Sequence, residues 1–368
     1  MSNRCTDRAS RRDLLARIAA TSALGGCGLL RRPADEEPAP TTSLTPRPPR
    51  PGFHAGFNYA HLHRGGIGYG SEASHAQLIR LRALGVSHLA LTPFGYLPEL
   101  DGTVIRFGSQ LDRSLTDDDL RREAAQAQAL GFSVCLKPHL WSNAFWSGGK
   151  SRQDIEPPDW DPWFESYAKF AEHYAKLAED IGASLYVVGL EYLKATTDNP
   201  GAWAMVAERC RASYGGALSY AANWWREVDA FADWSAYDYI GVNAYYPLEA
   251  GSDPSAAALA AAWQPHLDHL GGLARASGKP VLFLEAGLRA VAGATIRPWD
   301  QGLRGTASPG LQARAYEALL AASAERGWLE GIYWWKWFTD DESRERDDYS
   351  PMGMPAEIVI SRWWGEQG

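Results

Sequence analysis

From about residue 52 onward, short apolar runs alternate with longer amphipathic ones. Apolar runs of four to eight residues bounded by Gly or Pro read as strands buried on both faces. Stretches of 3.6-residue periodicity closed by caps read as helices. Strands are predicted over residues 54–59, 87–92, 132–137, 185–190, 217–222, 239–244, 281–284 and 331–337. Helices are predicted over 72–84, 116–130, 162–181, 200–213, 225–232, 255–277, 309–326 and 356–364. Thr116 followed by Asp117, Asp118 and Asp119 is a helix start, a capping hydroxyl with acids at the positive end of the dipole. Ser308-Pro309 is another, and Gly85, Gly131, Gly182 and Gly278 mark helix ends. Eight β/α repeats predict an α/β fold, a single-domain (β/α)8 TIM barrel over residues 52–368, with its chemistry on the loops after the strands. A doubly wound sheet would announce a Gly-rich phosphate turn after its first strand, and Asn58-Tyr59-Ala60-His61 is not one.

The first 51 residues break this rhythm. Ser10-Arg11-Arg12-Asp13-Leu14-Leu15 is a twin-arginine pattern, and the apolar stretch 18–24 behind it is too short to span a bilayer. It runs into Leu24-Gly25-Gly26-Cys27, which resembles a bacterial lipobox. Residues 1–26 are therefore expected to be an export signal, with lipid on the Cys27 sulfur holding the protein at a membrane of the bacterial cell envelope, periplasmic or at the cell surface. Residues 27–51 carry Pro33, Pro38, Pro40, Pro46, Pro48, Pro49 and Pro51 among Thr and charged residues, the composition of a disordered tether.

Composition narrows the function classes. The chain has 368 residues, 45% hydrophobic and 22% charged, which suits one large core. A net charge of -8 leaves no electrostatic footprint for nucleic acid. Cys5 leaves with the signal, and Cys135 with Cys210 make no disulfide framework. Sixteen Trp and sixteen Tyr fill a core first, but Trp clusters in rim loops can also stack on sugar rings.

The chemistry concentrates at strand ends. Two apolar strands finish on a carboxylate, Val187-Val188-Gly189-Leu190-Glu191 and Phe283-Leu284-Glu285-Ala286-Gly287. Burying a carboxylate is costly unless it is paired or used. With strict alternation, Leu185, Val187, Gly189 and Glu191 share one face, as do Val281, Phe283 and Glu285. Two carboxylates meeting at the mouth suit glycoside hydrolysis. The same rim receives Lys137-Pro138-His139-Leu140-Trp141, Asn223-Trp224, Asn243-Ala244-Tyr245-Tyr246 and Trp334-Trp335-Lys336-Trp337.

Carboxylates on the fourth and seventh strands resemble the clan A glycoside hydrolases. The stretches 136–139, 220–224, 238–248 and 333–337 resemble glycoside hydrolase family 113, over residues 52–364. That resemblance implies a retaining endo-β-1,4-mannanase working without cofactor or metal on a polysaccharide or oligosaccharide, with Glu191 as acid/base and Glu285 as nucleophile. Many clan members place Asn before the acid/base; here it is Leu190, so the sugar 2-hydroxyl must be held from elsewhere. Tyr245 or Tyr246 is expected to hydrogen-bond the nucleophile, Trp335 to floor the cleavage subsite, and His139 and Asn223, with Trp141 on the same rim, to meet the sugar. Lys137 and Lys336 read as ion-pair partners. The loop 142–163, with Phe145, Trp146, Trp160 and Trp163, reads equally as a cleft wall or a packed cluster. A monomer is expected. Two alternatives stand: a non-catalytic glycan-binding lipoprotein, and a metal-dependent amidohydrolase using His61 and His63, for which the further His ligands are missing.

Overall fold

The computed structural model describes residues 44–61, 67–108, 115–147, 149–231, 233–343 and 348–365. The export signal, Cys27, residues 27–43 of the tether and His63 lie outside the described residues. No helix among the described residues is long and apolar enough to cross a membrane.

The strands are β1 (His54–Ala60), β2 (His88–Leu91), β3 (Phe94–Tyr96), β4 (Ser133–Leu136), β5 (His139–Trp141), β6 (Leu185–Leu190), β7 (Ala217–Asn223), β8 (Tyr239–Asn243), β9 (Val281–Ala286) and β10 (Leu329–Phe338). Eight close a parallel barrel in the order β1-β10-β9-β8-β7-β6-β4-β2, while β3 and β5 pair as a separate small sheet. The helices are α1 (Glu72–Ala83), α2 (Asp117–Ala129), α3 (Ala144–Ser147), α4 (Trp160–Asp180), α5 (Leu193–Asp198), α6 (Pro200–Ser213), α7 (Glu227–Ala230), α8 (Ala256–Ser277), α9 (Pro309–Ser323) and α10 (Pro355–Trp364). All eight predicted barrel strands form. The expected start of α2 is a capping box, in which Thr116 and Asp119 satisfy each other's backbone N–H. The predicted helix 225–232 shrinks to the single turn α7, because Trp224 and Trp225 are spent on a rim turn. Residues 44–51, assigned to the tether, rest on the barrel end opposite the carboxyl ends of the strands. There Arg50 donates to the carbonyls of Gly327 and Leu329 at 3.2 and 2.7 Å, and Arg47 pairs with Glu325.

Strict alternation fails at both carboxylates. Between β8 and β9 the register runs Val242↔Phe283 and then Asn243↔Glu285, so Leu284 is an inserted residue. Phe283 stacks on Trp263 of α8 outside the barrel, while Leu282 reaches the interior beside Gly331 and His54. Without the bulge Glu285 would follow Phe283 outward; with it, Glu285 enters the mouth. In β6 the register jumps from Val187↔Ser219 to Leu190↔Ala221, and a Cβ on Gly189 would meet Tyr167 and Trp203 of the outer helices. Glu191 then adopts φ +59, a left-handed backbone unusual for a residue with a side chain. A third shift, between Asn58↔Trp335 and Tyr59↔Trp337, leaves Lys336 as the extra residue of β10. Bulges re-aim side chains, and here three of them build the mouth.

The lower barrel holds a neutral histidine pair. The rings of His54 and His88 stack at 4.0 Å, and His54 Nδ1 shares a hydrogen bond of 3.0 Å with the Tyr333 hydroxyl. Burial pulls His54 down to about 4. It pulls His88, with its neighbour adding to the effect, down to about 3. Both folded values lie below the unfolded one, so their contribution is complete above about pH 6.5 and is lost as pH falls through the folded values. Urea titrations should show stability declining by about 1–3 kcal/mol between pH 6.5 and 4, with a smaller decline in His88→Asn. An identical slope in that variant would remove the pair from the acid response.

Candidate active site

The mouth is built around a buried ion pair. Lys137, one residue past β4, places Nζ 2.6 Å from Glu285 Oε1, 2.9 Å from Asn58 Oδ1 and 3.1 Å from the Leu284 carbonyl. The bulge at Leu284 turns that carbonyl inward, where Asn58 Nδ2 also donates to it at 2.9 Å. Burial holds the Lys137 ammonium below the usual lysine range, and the Glu285 charge opposes the shift. The other carboxylate oxygen of Glu285 accepts from the Tyr245 hydroxyl at 2.7 Å. Both oxygens of this carboxylate thus have fixed donors, one of them charged.

Glu191 lies in different surroundings. Asn243 Nδ2 donates to Oε1 at 2.9 Å, and the Arg152 guanidinium lies 3.3 Å from Oε2. Asn243 is also the register partner of Glu285, so one residue stands between the two carboxylates. Burial raises the Glu191 pKa above the usual carboxylate range and the Glu285 charge raises it further, against the pull of Arg152, the Asn243 hydrogen bond and Lys137. The two carboxyl groups therefore have different partners and different electrostatic settings.

His139 is buried between these elements. Arg152 also donates to its Nδ1, at 3.1 Å, and its ring lies parallel to Trp335 at 5.8 Å. Burial, with Arg152 and Lys137 close by, holds its pKa well below the ordinary value, so the ring is neutral. Nδ1 accepts, which leaves Nε2 to carry the hydrogen, and Nε2 has no hydrogen-bond partner among the described residues. Trp335 is half-buried, with Lys137 5.6 Å from its ring centroid. Its carbonyl would lie 2.7 Å from a Cβ on Gly287, whose φ of +148 already demands glycine.

The expected residues divide. Glu191, Glu285, His139, Trp335 and Tyr245 converge on the mouth. Of the two tyrosines, Tyr245 meets the carboxylate. Tyr246 instead packs between barrel and helices, stacked on His266 at 4.5 Å and edge-on to Trp263. Asn223 ends β7 in register with Asn243, and Trp141 lies edge-on to Phe94 and Phe145. Trp160 and Trp163 belong to the packed cluster, with Trp163 fully buried and parallel to Tyr167 at 4.9 Å; the Trp146 side chain lies outside the described residues. Lys137 pairs with the candidate nucleophile itself, while Lys336 faces Asp348 at 3.5 Å. Sequence reasoning missed Asn58, Arg152 and the part played by Asn243. Asn58 carried a signal, a polar residue in the first strand; Arg152 opens a single 3-10 turn, Arg152–Asp154, between β5 and α4 and carried none.

His61 lies against Tyr69, ring centroids 4.6 Å apart, and no group of three or more His, Cys, Asp or Glu residues able to hold a metal occurs among the described residues.

Known proteins place this architecture. A β-1,4-mannanase of glycoside hydrolase family 113, solved as a complex, is 27% identical with a TM-score of 0.74, covering 85% of this chain and 98% of its own. A β-mannanase of the same family from Alicyclobacillus acidocaldarius, in complex with ManMIm, gives the same identity and TM-score over 85% and 97% of the two chains. A β-glucuronidase from Ruminococcus gnavus, 13% identical with a TM-score of 0.57 over 85% and 50%, shares the fold alone. No curated protein matches by sequence. Residues 57–353 match the model of Glycoside Hydrolase Family 113. That span runs from within β1 to the threshold of α10 and removes the amidohydrolase alternative: the chain belongs to glycoside hydrolase family 113 and is a glycoside hydrolase.

Proposed function

We propose that the chain is an endo-acting β-1,4-mannanase that retains anomeric configuration, with Glu285 as nucleophile and Glu191 as acid/base. The observation that carries this reading is the unequal setting of the two carboxyl groups: Glu285 held by Lys137 and Tyr245, Glu191 half-buried with its proton favoured. In the first step a Glu285 oxygen attacks the anomeric carbon from below as Glu191 protonates the departing glycosidic oxygen. The C–O bond breaks, and an α-linked glycosyl ester of Glu285 remains. Ester formation removes the Glu285 charge, one of the causes of the raised Glu191 pKa, so Glu191 stays ionised and is available as the base at the moment one is needed. It then takes a proton from water, whose oxygen attacks the same carbon and releases the β-product and free Glu285. Trp335 floors the reacting sugar, His139 donates from Nε2 to a hydroxyl, and Asn223 and Trp141 line the rim. A monomer is part of the same proposal.

The test is a screen of β-mannan, glucomannan, xylan and β-glucan, with NMR of the first products. Cleavage of mannan within the chain and initial β-anomers are expected. Initial α-anomers would overturn the nucleophile assignment, and exclusive cleavage of xylan or β-glucan would overturn the substrate. Export through residues 1–26 and lipid anchoring at Cys27 are part of the proposal and rest on the sequence motifs. Mass spectrometry of the mature N-terminus in a bacterial host tests them.

A further inference from the structure

Three tryptophans on the rim have no part in the roles above. Trp225 and Trp299 are 36% and 44% exposed, and Trp224, the residue before Trp225, has its ring 5.3 Å from that of Trp299. We propose that Trp224, Trp225 and Trp299 form a sugar-stacking shelf for the leaving-group side of a β-linked glycan, a subsite beyond Glu191. This deepens the hydrolase reading and rests on it.

The shelf is built rather than incidental. Trp224 and Trp225 sit in the turn between β7 and α7, where Arg226 is held at φ +48 and its guanidinium lies 5.4 Å from the Trp225 ring centroid. A buried carboxyl group fixes this turn: Glu227 accepts from the Asn223 N–H at 2.8 Å, the Tyr220 hydroxyl at 2.6 Å and the Thr196 hydroxyl at 3.0 Å. Tyr220 in turn accepts from the N–H of Tyr192, the residue after Glu191, at 2.8 Å. The far edge is tied to the other carboxylate. The Tyr349 hydroxyl donates to the Pro298 carbonyl beside Trp299 at 2.7 Å, and its ring packs edge-on to Tyr245 at 6.2 Å. Each edge of the shelf is thus connected, through these contacts, to a residue beside one of the two carboxylates.

Position selects the occupant. A sugar leaving past Glu191 can turn toward β4 or toward β7. On the β4 side Arg152 already bridges Glu191 and His139. On the β7 side Asn223 ends the strand, and Trp224 and the exposed Trp225 follow it in the turn. Indole faces bind the C–H faces of pyranose rings and need no charge on them, so the ligand is the neutral continuation of the substrate chain.

The experiment compares Trp225→Ala and Trp299→Ala with the unaltered protein on β-1,4-mannohexaose and on a nitrophenyl β-mannoside, which has no sugar to place on the shelf. Expected is a KM for mannohexaose raised about 5–10-fold, at least fivefold beyond any change on the nitrophenyl substrate. A matching weakening of mannohexaose binding is expected when each substitution is combined with Glu285→Gln. Equal losses on both substrates, or none, overturn the shelf while leaving the hydrolase reading intact. If the unaltered protein fails to cut mannohexaose, the mannanase reading fails instead, and the comparison is made with whichever of cellohexaose or xylohexaose it cuts. Binding of none of the three overturns both.

Discussion

Glu285→Gln should lose turnover by about 10³-fold or more while still binding oligosaccharide, because in the proposed mechanism both steps pass through a glycosyl ester that the amide cannot form. Glu191→Ala should fail differently. A substrate whose leaving group needs no protonation, such as a dinitrophenyl glycoside, should still form the ester but stall at hydrolysis, and azide should rescue it as a β-glycosyl azide. The pH profiles separate the roles further. Burial, then the Glu285 charge, raises the Glu191 pKa, so the acid keeps its proton above the ordinary carboxylate range. Activity falls as pH rises through that value, and this basic limb should vanish in Glu191→Ala. Full activity in Glu285→Gln would take Glu285 out of the mechanism, and tight glycan binding by a protein that turns nothing over would favour the non-catalytic lipoprotein.

The second large effect concerns Lys137. Its side chain is wholly buried, and the Glu285 side chain is only 7% exposed. Lys137→Met leaves a buried carboxylate with one neutral donor, Tyr245, and an Asn58 that has lost its ammonium partner. Breaking a buried pair from one side typically costs about 3–5 kcal/mol, because the remaining charge is uncompensated. Urea unfolding at pH 7 should show a loss of that order, and turnover should collapse with it. Adding Glu285→Gln should recover much of the stability and none of the turnover, since the stranded charge is then gone. A loss below about 1 kcal/mol in the single variant would mean that the pair is not what makes a buried carboxylate tolerable here.

Both predictions turn on contacts between residues far apart in the chain, and these were only partly legible. The resemblance of four short stretches to family 113 pointed to both glutamates, and the strand ends pointed to the right rim. Alternation supported the pair for a reason that does not hold, because each strand is bulged before its Glu. Two adjacent tyrosines were left open, since only the course of the chain after β8 decides which one turns inward. Arg152 reaches Glu191 from a short turn 39 positions earlier in the sequence, a distance no local pattern spans.

By itself the amino-acid order determined the eight β/α repeats, the caps that end the helices, and which strands finish on acids. Each of these follows from the periodicity, propensity and hydrogen-bonding needs of a few neighbouring residues. The tertiary structure decided where the side chains point at the mouth, which tyrosine meets Glu285, and that Lys137 is its counter-ion. Those outcomes depend on ladder register between strands and on the requirement that every buried charge find a partner across the barrel. Neither condition can be evaluated until the ring of strands has closed.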